Sequence, residues 1–200
     1  MKDIRFLGVD DSIVDFSSPY TDIVGVVMRS GGYIEGVLWD RVTVDGDDST
    51  EVISSMILKS RFRDQIGVVL LDGFAVGGFN VVDIEELHRK VSVPVITVSL
   101  KKPSPGEMER ALKGRIPGWE RKLELMKERR VERVDVGDGV LYISMAGIER
   151  ERAVEMLKAS IVRGRTPEPL RVAHLMASAL GKGDLREPVI LRGGRAPGAL

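Results

Sequence analysis

Three groups of aspartates stand where predicted strands end, and carboxylates in such positions are suited to holding a metal ion. Asp10 and Asp11 follow one apolar run and Asp72 follows another, while the third group precedes a predicted helix and comprises Asp45, Asp47 and Asp48. Because the carboxyl ends of parallel strands meet at one edge of a sheet, Asp10 and Asp72 are expected to lie close together. Like charges repel at short range, and a divalent cation removes that repulsion. A cap or a turn is the alternative for any one of these aspartates.

One histidine and two lysines are placed to complete such a site. His174 follows Pro169, which can begin a helix, and Arg171 lies one helical turn before the histidine on the same side. Lys101 and Lys102 come after the next predicted buried strand, where a lysine can balance the charge of a phosphate. A structural role is the alternative for the histidine, and an exposed basic turn is the alternative for the lysines.

A glycine-rich loop, Gly73–Asn80, follows Asp72 directly. It has neither the Gly-Lys-Ser/Thr ending of a phosphate-binding loop nor the spacing of a dinucleotide-binding turn. Glycines after an acidic strand end allow a ligand to approach the backbone closely. Those expected to do so here are Gly73, Gly77 and Gly78. Phe74 and Phe79 could stack on a nucleobase, and core packing is the alternative for both.

Composition excludes several classes of protein. The 200 residues include no cysteine, which excludes a disulfide scaffold, a thiolate metal site and a cysteine nucleophile. Oxygen ligands without cysteine favour Mg²⁺ or Mn²⁺ over Zn²⁺. No apolar run approaches the roughly 20 residues needed to cross a bilayer, and no apolar signal region follows the N-terminus. We therefore expect a soluble, cytoplasmic protein.

The charge balance is neutral overall but uneven along the chain. Basic and acidic residues number 30 each, which excludes a polybasic protein. Residues 1–100 carry 9 basic and 16 acidic residues, so that residues 101–200 carry 21 and 14. This division suits a metal site that faces a phosphate-binding surface, and segregated solvated faces are the alternative.

The order of predicted elements favours an α/β fold with a mixed central sheet and helices on both faces. Apolar and alternating runs predict strands at 4–10, 22–29, 33–44, 66–72, 93–99, 131–136 and 140–144, while helical spacing predicts helices at 49–63, 82–90, 149–161 and 170–180 and interrupted helix over 103–130. A hairpin after the first strand, followed by βαβ units, is the arrangement of the ribonuclease H-like fold. We expect one such domain over residues 1–180 and a loosely held tail over 181–200.

Four short motifs carry a resemblance to a known family. They are Gly8-Val9-Asp10, Leu70-Leu71-Asp72-Gly73, the lysine at the next strand end, and Thr166-Pro167-Glu168-Pro169-Leu170-Arg171-Val172-Ala173-His174. Their order resembles that of endonuclease V, a ribonuclease H-like family that cleaves nucleic acid near deaminated bases using Mg²⁺. Over residues 3–178 the chain more closely resembles an archaeal relative of that family, endonuclease dU, in which Gly46–Thr50 and Asp72–Asp83 are typical stretches. The Pro-Glu-Pro-Leu-Arg stretch is the most specific part of this resemblance.

The resemblance implies a role for each matching residue. The implied metal ligands are Asp10, Asp48, Asp72 and His174, and the implied partner of the scissile phosphate is Lys101 or Lys102. Asp48 stands where endonuclease V has a glutamate, and this shorter carboxylate changes the metal geometry. The motif with which endonuclease V separates the strands is not found in this sequence, so inosine specificity does not carry over.

We therefore predict a metal-dependent endonuclease that hydrolyses phosphodiester bonds in nucleic acid, namely DNA carrying uracil or hypoxanthine, in repair. The predicted cofactor is Mg²⁺ or Mn²⁺. The residues predicted to contact nucleic acid are Gly73, Phe74, Gly77, Gly78, Lys102 and Arg171, and those predicted to follow its backbone are Arg110, Lys113, Arg115, Arg121 and Lys122. The alternatives are a catalytically silent nucleic-acid-binding protein of the same fold and a small-molecule phosphohydrolase that uses the same acidic cleft.

Overall fold

The computed structural model describes residues 4–114 and 116–181, which form nine strands and six helices. The strands are β1 (Arg5–Asp11), β2 (Tyr20–Arg29), β3 (Ile34–Thr43), β4 (Ile66–Asp72), β5 (Ala75–Val76), β6 (Asn80–Val81), β7 (Val95–Ser99), β8 (Glu132–Asp135) and β9 (Val140–Ala146). The helices are α1 (Ser49–Lys59), α2 (Ile84–Val91), α3 (Pro105–Leu112), α4 (Trp119–Lys127), α5 (Arg150–Ser160) and α6 (Glu168–Leu180).

Seven of these strands form one mixed sheet in the order β3-β2-β1-β4-β7-β9-β8. The strands β1, β4 and β7 run parallel, and the pairs at both flanks are antiparallel. The short strands β5 and β6 pair with each other inside the glycine-rich loop. Parallel strands in the middle and antiparallel hairpins at the flanks confirm the mixed sheet that the sequence predicts.

Apolar cores lie on both faces of this sheet. On one face, α1 and α2 contribute Ile53, Ile57 and Leu87 to a cluster with alternate residues of the central strands, such as Leu7 and Val69. On the other face, α5 packs against the residues between those, and α6 covers β2 through Val172, Ala173 and Ala177. Successive side chains along each buried strand point to opposite faces, so one sheet contributes side chains to both cores.

The parallel pairing of β1 with β4 brings two aspartates to one edge. Val9 pairs with Leu71, so Asp10 and Asp72 are the next residues along their neighbouring strands. Both strands are buried along most of their lengths. A slip of one residue would move each side chain from the core it fills to the core on the opposite face. The apolar core therefore also sets the spacing between these two carboxylates.

Helix α6 lies unusually close to β1 because Gly8 has no side chain. A Cβ atom at Gly8 would lie 2.5 Å from the carbonyl oxygen of Pro169 and 2.7 Å from the amide nitrogen of Leu170. Pro167 caps the helix, and its carbonyl accepts hydrogen bonds from the amides of Leu170 and Arg171. The proline-rich stretch thus begins α6 directly on the first strand, and His174 follows one turn later.

Most predicted elements are confirmed, with differences at their ends. The helix predicted over 49–63 ends at Lys59, because Ser60 is extended and Phe62 turns back into the core, where its ring lies against Gly36. The hairpin predicted over 131–144 is present, and it joins the central sheet beside β7. The predicted tail lies outside the described residues except for Gly181, and the single domain over 1–180 stays a prediction. Across residues 4–114 and 116–181, no helix combines the length and the apolar character needed to span a bilayer.

We predict that Gly8→Ala lowers the free energy of unfolding by about 1–3 kcal/mol or more, because the added methyl group pushes α6 away from β1. The measurement is urea denaturation followed by circular dichroism. Gly106→Ala is the matched control, since Gly106 lies in α3 with nothing within 4 Å of an added Cβ. That helical Gly→Ala change is expected to be neutral or stabilising. Equal stability of the two variants would contradict the close contact between α6 and β1.

Candidate active site

Three side chains from three elements converge at the end of the β1–β4 pair. Asp10 from β1, Asp72 from β4 and His174 from α6 each offer a ligand atom, and these atoms all lie within 4.8 Å of one another. Asp10 is buried, whereas Asp72 is exposed and the His174 side chain is 63% exposed. The site is thus a buried carboxylate with an open side, which a large substrate can reach.

Asp10 is held in place through both of its carboxylate oxygens. His174 Nδ1 lies 2.9 Å from Oδ2, and the backbone amide of Asp11 donates to Oδ1 at 2.9 Å. When Nδ1 carries the ring proton and donates it to Asp10, the lone pair of Nε2 stays available to a ligand. A carboxylate that orients an imidazole in this way is a recurrent feature of metal sites.

Burial and mutual repulsion both disfavour the ionised form of the carboxylates at this site. Burial, reinforced by the neighbouring carboxylate of Asp72, raises the pKa of Asp10 to about 7. The pKa of Asp11 is also raised by burial, although the amide of Gly77 donates to its Oδ2 at 2.8 Å. Surrounding protein atoms partly shield the carboxylate of Asp72 from water and raise its pKa, and the charge of His174 opposes that shift. A cation bound here would remove the repulsion, so two carboxylates and an imidazole fit Mg²⁺ or, better for the nitrogen ligand, Mn²⁺.

Asp48, the other predicted metal ligand, is engaged elsewhere and lies outside the Asp10–Asp72–His174 group. It accepts hydrogen bonds from Thr43 Oγ1 at 2.7 Å and from Asn80 Nδ2 at 2.5 Å. Burial acts to raise the pKa of Asp48, but these hydrogen bonds outweigh it and lower the pKa. These hydrogen bonds connect the start of α1 to the end of β3 and to β6.

The predicted lysines lie beyond the end of β7, and both are exposed. Lys102 lines a cavity of about 370 Å³ that also borders Phe74, Arg129 and the side chains of α3 and α4. Lys101 does not line this cavity, so of the two predicted lysines the structure places Lys102 beside Phe74.

The three glycines of the loop differ in what surrounds them. An added Cβ at Gly73 would meet nothing within 4 Å, so the backbone after Asp72 is open to a ligand. A Cβ at Gly78 would instead clash with the carboxylate of Asp45, and one at Gly77 would crowd the chain's own side chains. Asp45 accepts a hydrogen bond from the amide of Phe79 at 2.8 Å. Of these three glycines, only Gly73 has the free space that a closely approaching ligand needs, because Gly77 and Gly78 accommodate the protein itself.

Both phenylalanines of the loop pack against the small core beneath α3 and α4, as in the alternative weighed above. Phe74 also lines the 370 Å³ cavity.

Several predicted basic contacts are engaged within the protein. Lys122 is fully buried and bonds to the carbonyl of Gly46 and, at 2.6 Å, to Asp47 Oδ1. It fastens α4 to the loop before α1, so the expectation that it follows a nucleic-acid backbone is wrong. Arg171 pairs with Glu168 at 2.6 Å on the exposed side of α6. Arg110, Lys113 and Arg121 lie on the surface, and Arg115 lies outside the described residues.

Two residues at the site escaped the sequence prediction. Asp11 appeared there only as a neighbour of Asp10, and its half-buried carboxylate in fact ties β1 to the glycine-rich loop. The sequence did not indicate a role for Arg129, because it lies in a charged helical stretch where an arginine is expected to be exposed to solvent.

The fold with this site is that of the ribonuclease H-like endonuclease V proteins. A Ciona intestinalis endonuclease V, crystallised with a 24mer DNA containing an inosine followed by a ribo-adenosine, has a TM-score of 0.57 and 16% identity, covering 85% of this chain and 82% of that chain. A crystal structure of a protein of unknown function from Archaeoglobus fulgidus has a TM-score of 0.81 and 38% identity, covering 90% and 99%.

The chain belongs to the endonuclease dU family, whose model matches residues 2–181. It is 43% identical over 187 residues to a UPF0215 protein of Methanothermobacter thermautotrophicus, which covers 92% of this chain and 91% of that protein.

We predict that Asp10→Asn stabilises the metal-free protein at pH 8 by about 3–4 kcal/mol and has little effect at pH 4. Because the pKa of Asp10 is raised to about 7, the folded state binds its proton more tightly than the unfolded state does. The stability that this proton confers is present below about pH 4 and is lost as the pH rises through 7. The measurement is urea denaturation at both pH values in the presence of a chelator.

Asp138→Asn is the control, since Asp138 is exposed in the turn between β8 and β9. At pH 8, Mn²⁺ should raise the melting temperature of the wild type and of this control but not that of Asp10→Asn. The same dependence of stability on pH in Asp10→Asn and the wild type would contradict the crowded-carboxylate account.

Proposed function

We propose that this protein is a metal-dependent endonuclease that hydrolyses phosphodiester bonds in DNA carrying a deaminated base, uracil or hypoxanthine. The observation that carries this proposal is the convergence of Asp10, Asp72 and His174 within 4.8 Å at the end of two parallel strands. The nuclease fold and the endonuclease dU family support the same reaction class.

The donor set is the reason for proposing a metal. Asp10, Asp72 and His174 would hold Mg²⁺ or Mn²⁺, which would orient the scissile phosphate and stabilise the charge that develops on it. Asp10 has a second task, because its hydrogen bond with His174 Nδ1 fixes the imidazole. Asp48 has only a structural role in this proposal, because its oxygens already accept hydrogen bonds from Thr43 and Asn80.

A polymer is favoured over a small molecule as substrate because the site is open. His174 is more than half exposed, and the backbone at Gly73 has free space beside it. Lys102, exposed past the end of β7, supplies positive charge to the path that a strand would take. The Ciona relative of the same fold was crystallised with inosine-containing DNA, and we extend that class of substrate to this chain.

We predict that wild-type protein with Mn²⁺ or Mg²⁺ nicks oligonucleotides that contain uracil, hypoxanthine or an abasic site, and that a chelator abolishes the nicking. Asp72→Asn should lower the rate by roughly a hundredfold or more, because it removes a charged ligand that costs several kcal/mol to replace. Gel electrophoresis of end-labelled strands measures this rate.

Asp138→Asn is again the matched control and should cleave like the wild type. Equal cleavage by Asp72→Asn and wild type would overturn the site assignment. Metal-independent binding without nicking would favour the silent relative, and hydrolysis of mononucleotides without affinity for oligonucleotides would favour the phosphohydrolase.

A further inference from the structure

Arg129 carries a hydrogen-bond donor that nothing in the described chain satisfies. It follows α4, and its Nη2 donates to the carbonyl oxygen of Val82. Its Nη1 is buried and has no hydrogen-bond partner among residues 4–114 and 116–181. A buried donor left unpaired costs about 1–3 kcal/mol, and more when the group is charged. Because such a cost is recovered when an acceptor arrives, the unpaired Nη1 points to a ligand with an acceptor atom.

Arg129 and Phe74 line the same 370 Å³ cavity. Arg129 Cζ lies over the Phe74 ring, 6.0 Å from its centroid, so a cation and an aromatic ring are next to each other in this wall. The rest of the wall is largely apolar and includes Pro103, Met108 and Met126. A flat ring with polar atoms at its edge suits these walls, because the apolar surfaces cover its faces and Arg129 meets its edge.

A short segment of chain connects one wall of the cavity to the proposed metal site. Phe74 is two residues from Asp72, so their Cα atoms lie at most about 7 Å apart. The segment between them is held by the hydrogen bond from the amide of Gly73 to the carbonyl of Val98, at 2.8 Å. A nucleotide close to a phosphate bound at Asp72 can therefore place its base in the cavity.

We propose that this cavity holds a base turned out of the strand and that Arg129 selects bases bearing a carbonyl group where cytosine and adenine bear an amino group. This inference rests on the proposed function. A guanidinium has donors only, so it bonds to the carbonyl at C4 of uracil or at C6 of hypoxanthine. It cannot bond to an amino group at the same position, where two donors would face each other unpaired. Arg129 is thus a specificity-determining residue, and Phe74 forms part of the apolar wall beside it.

The test compares substrates with and without a base to recognise. Arg129→Met keeps the length and apolar bulk of the side chain but removes its donors. We expect kcat/KM on a uracil-containing strand to fall by roughly tenfold to a hundredfold, while cleavage of an abasic strand changes by less than about twofold. Arg130→Met is the matched control, because Arg130 is 87% exposed and pairs only with Glu132 in the described structure. It should leave both rates unchanged.

A binding measurement separates this inference from the nuclease proposal. With Asp72→Asn as the slowly cleaving background, fluorescence anisotropy should show tighter binding of a uracil strand than of the matching cytosine strand. Adding Arg129→Met should abolish that preference while thermal unfolding shows that the protein remains folded. Equal losses on uracil and abasic strands, or no uracil preference in the Asp72→Asn background, would overturn the role of Arg129 even if nicking is observed. Absence of nicking by the wild type would instead overturn the nuclease proposal, and the binding preference would still decide the role of Arg129.

Discussion

The parallel pairing of β1 with β4 is the constraint on which the candidate site depends. Both strands are buried on both faces, and their register is set by alternating apolar residues such as Leu7 opposite Val69. Because that register places Asp10 beside Asp72, the hydrophobic core maintains a carboxylate pair that electrostatics alone would separate. The core's stabilisation thus offsets the repulsion at the site, and a bound cation would remove it.

Local sequence patterns were sufficient to predict most of the sheet and to place two aspartates of the site. Apolar runs marked β1 and β4, and an aspartate at the end of each run sufficed to place Asp10 and Asp72. Pro169 placed His174 on a helix, and the role of His174 as a metal ligand came from the resemblance to endonuclease V. The placement of the two aspartates needs only residues near one another in the chain, together with the rule that parallel strands end at one edge.

The parts that sequence could not predict depend on contacts between distant segments. Lys122 looks like any surface lysine of a charged helix, and only the fold reveals its bond to Gly46, 76 positions away. Gly78 looks like a ligand-binding glycine until Asp45 is seen to occupy the space beside it. Asp48 likewise accepts from Asn80, 32 positions away. Because the same residue types satisfy either role, periodicity and spacing cannot distinguish a ligand from an internal partner.

The closeness of α6 to β1 has a consequence for how this protein tolerates changes in length. An α-helix turns by about 100° per residue, so one residue inserted between Pro169 and His174 would swing the imidazole off Asp10 and turn Leu170's neighbours out of the core. The same insertion in the turn at Gly137–Gly139 would alter only an exposed hairpin tip. Homologous chains should therefore vary freely in length at that hairpin and keep a constant count of five residues from the second proline of the helix start to the histidine.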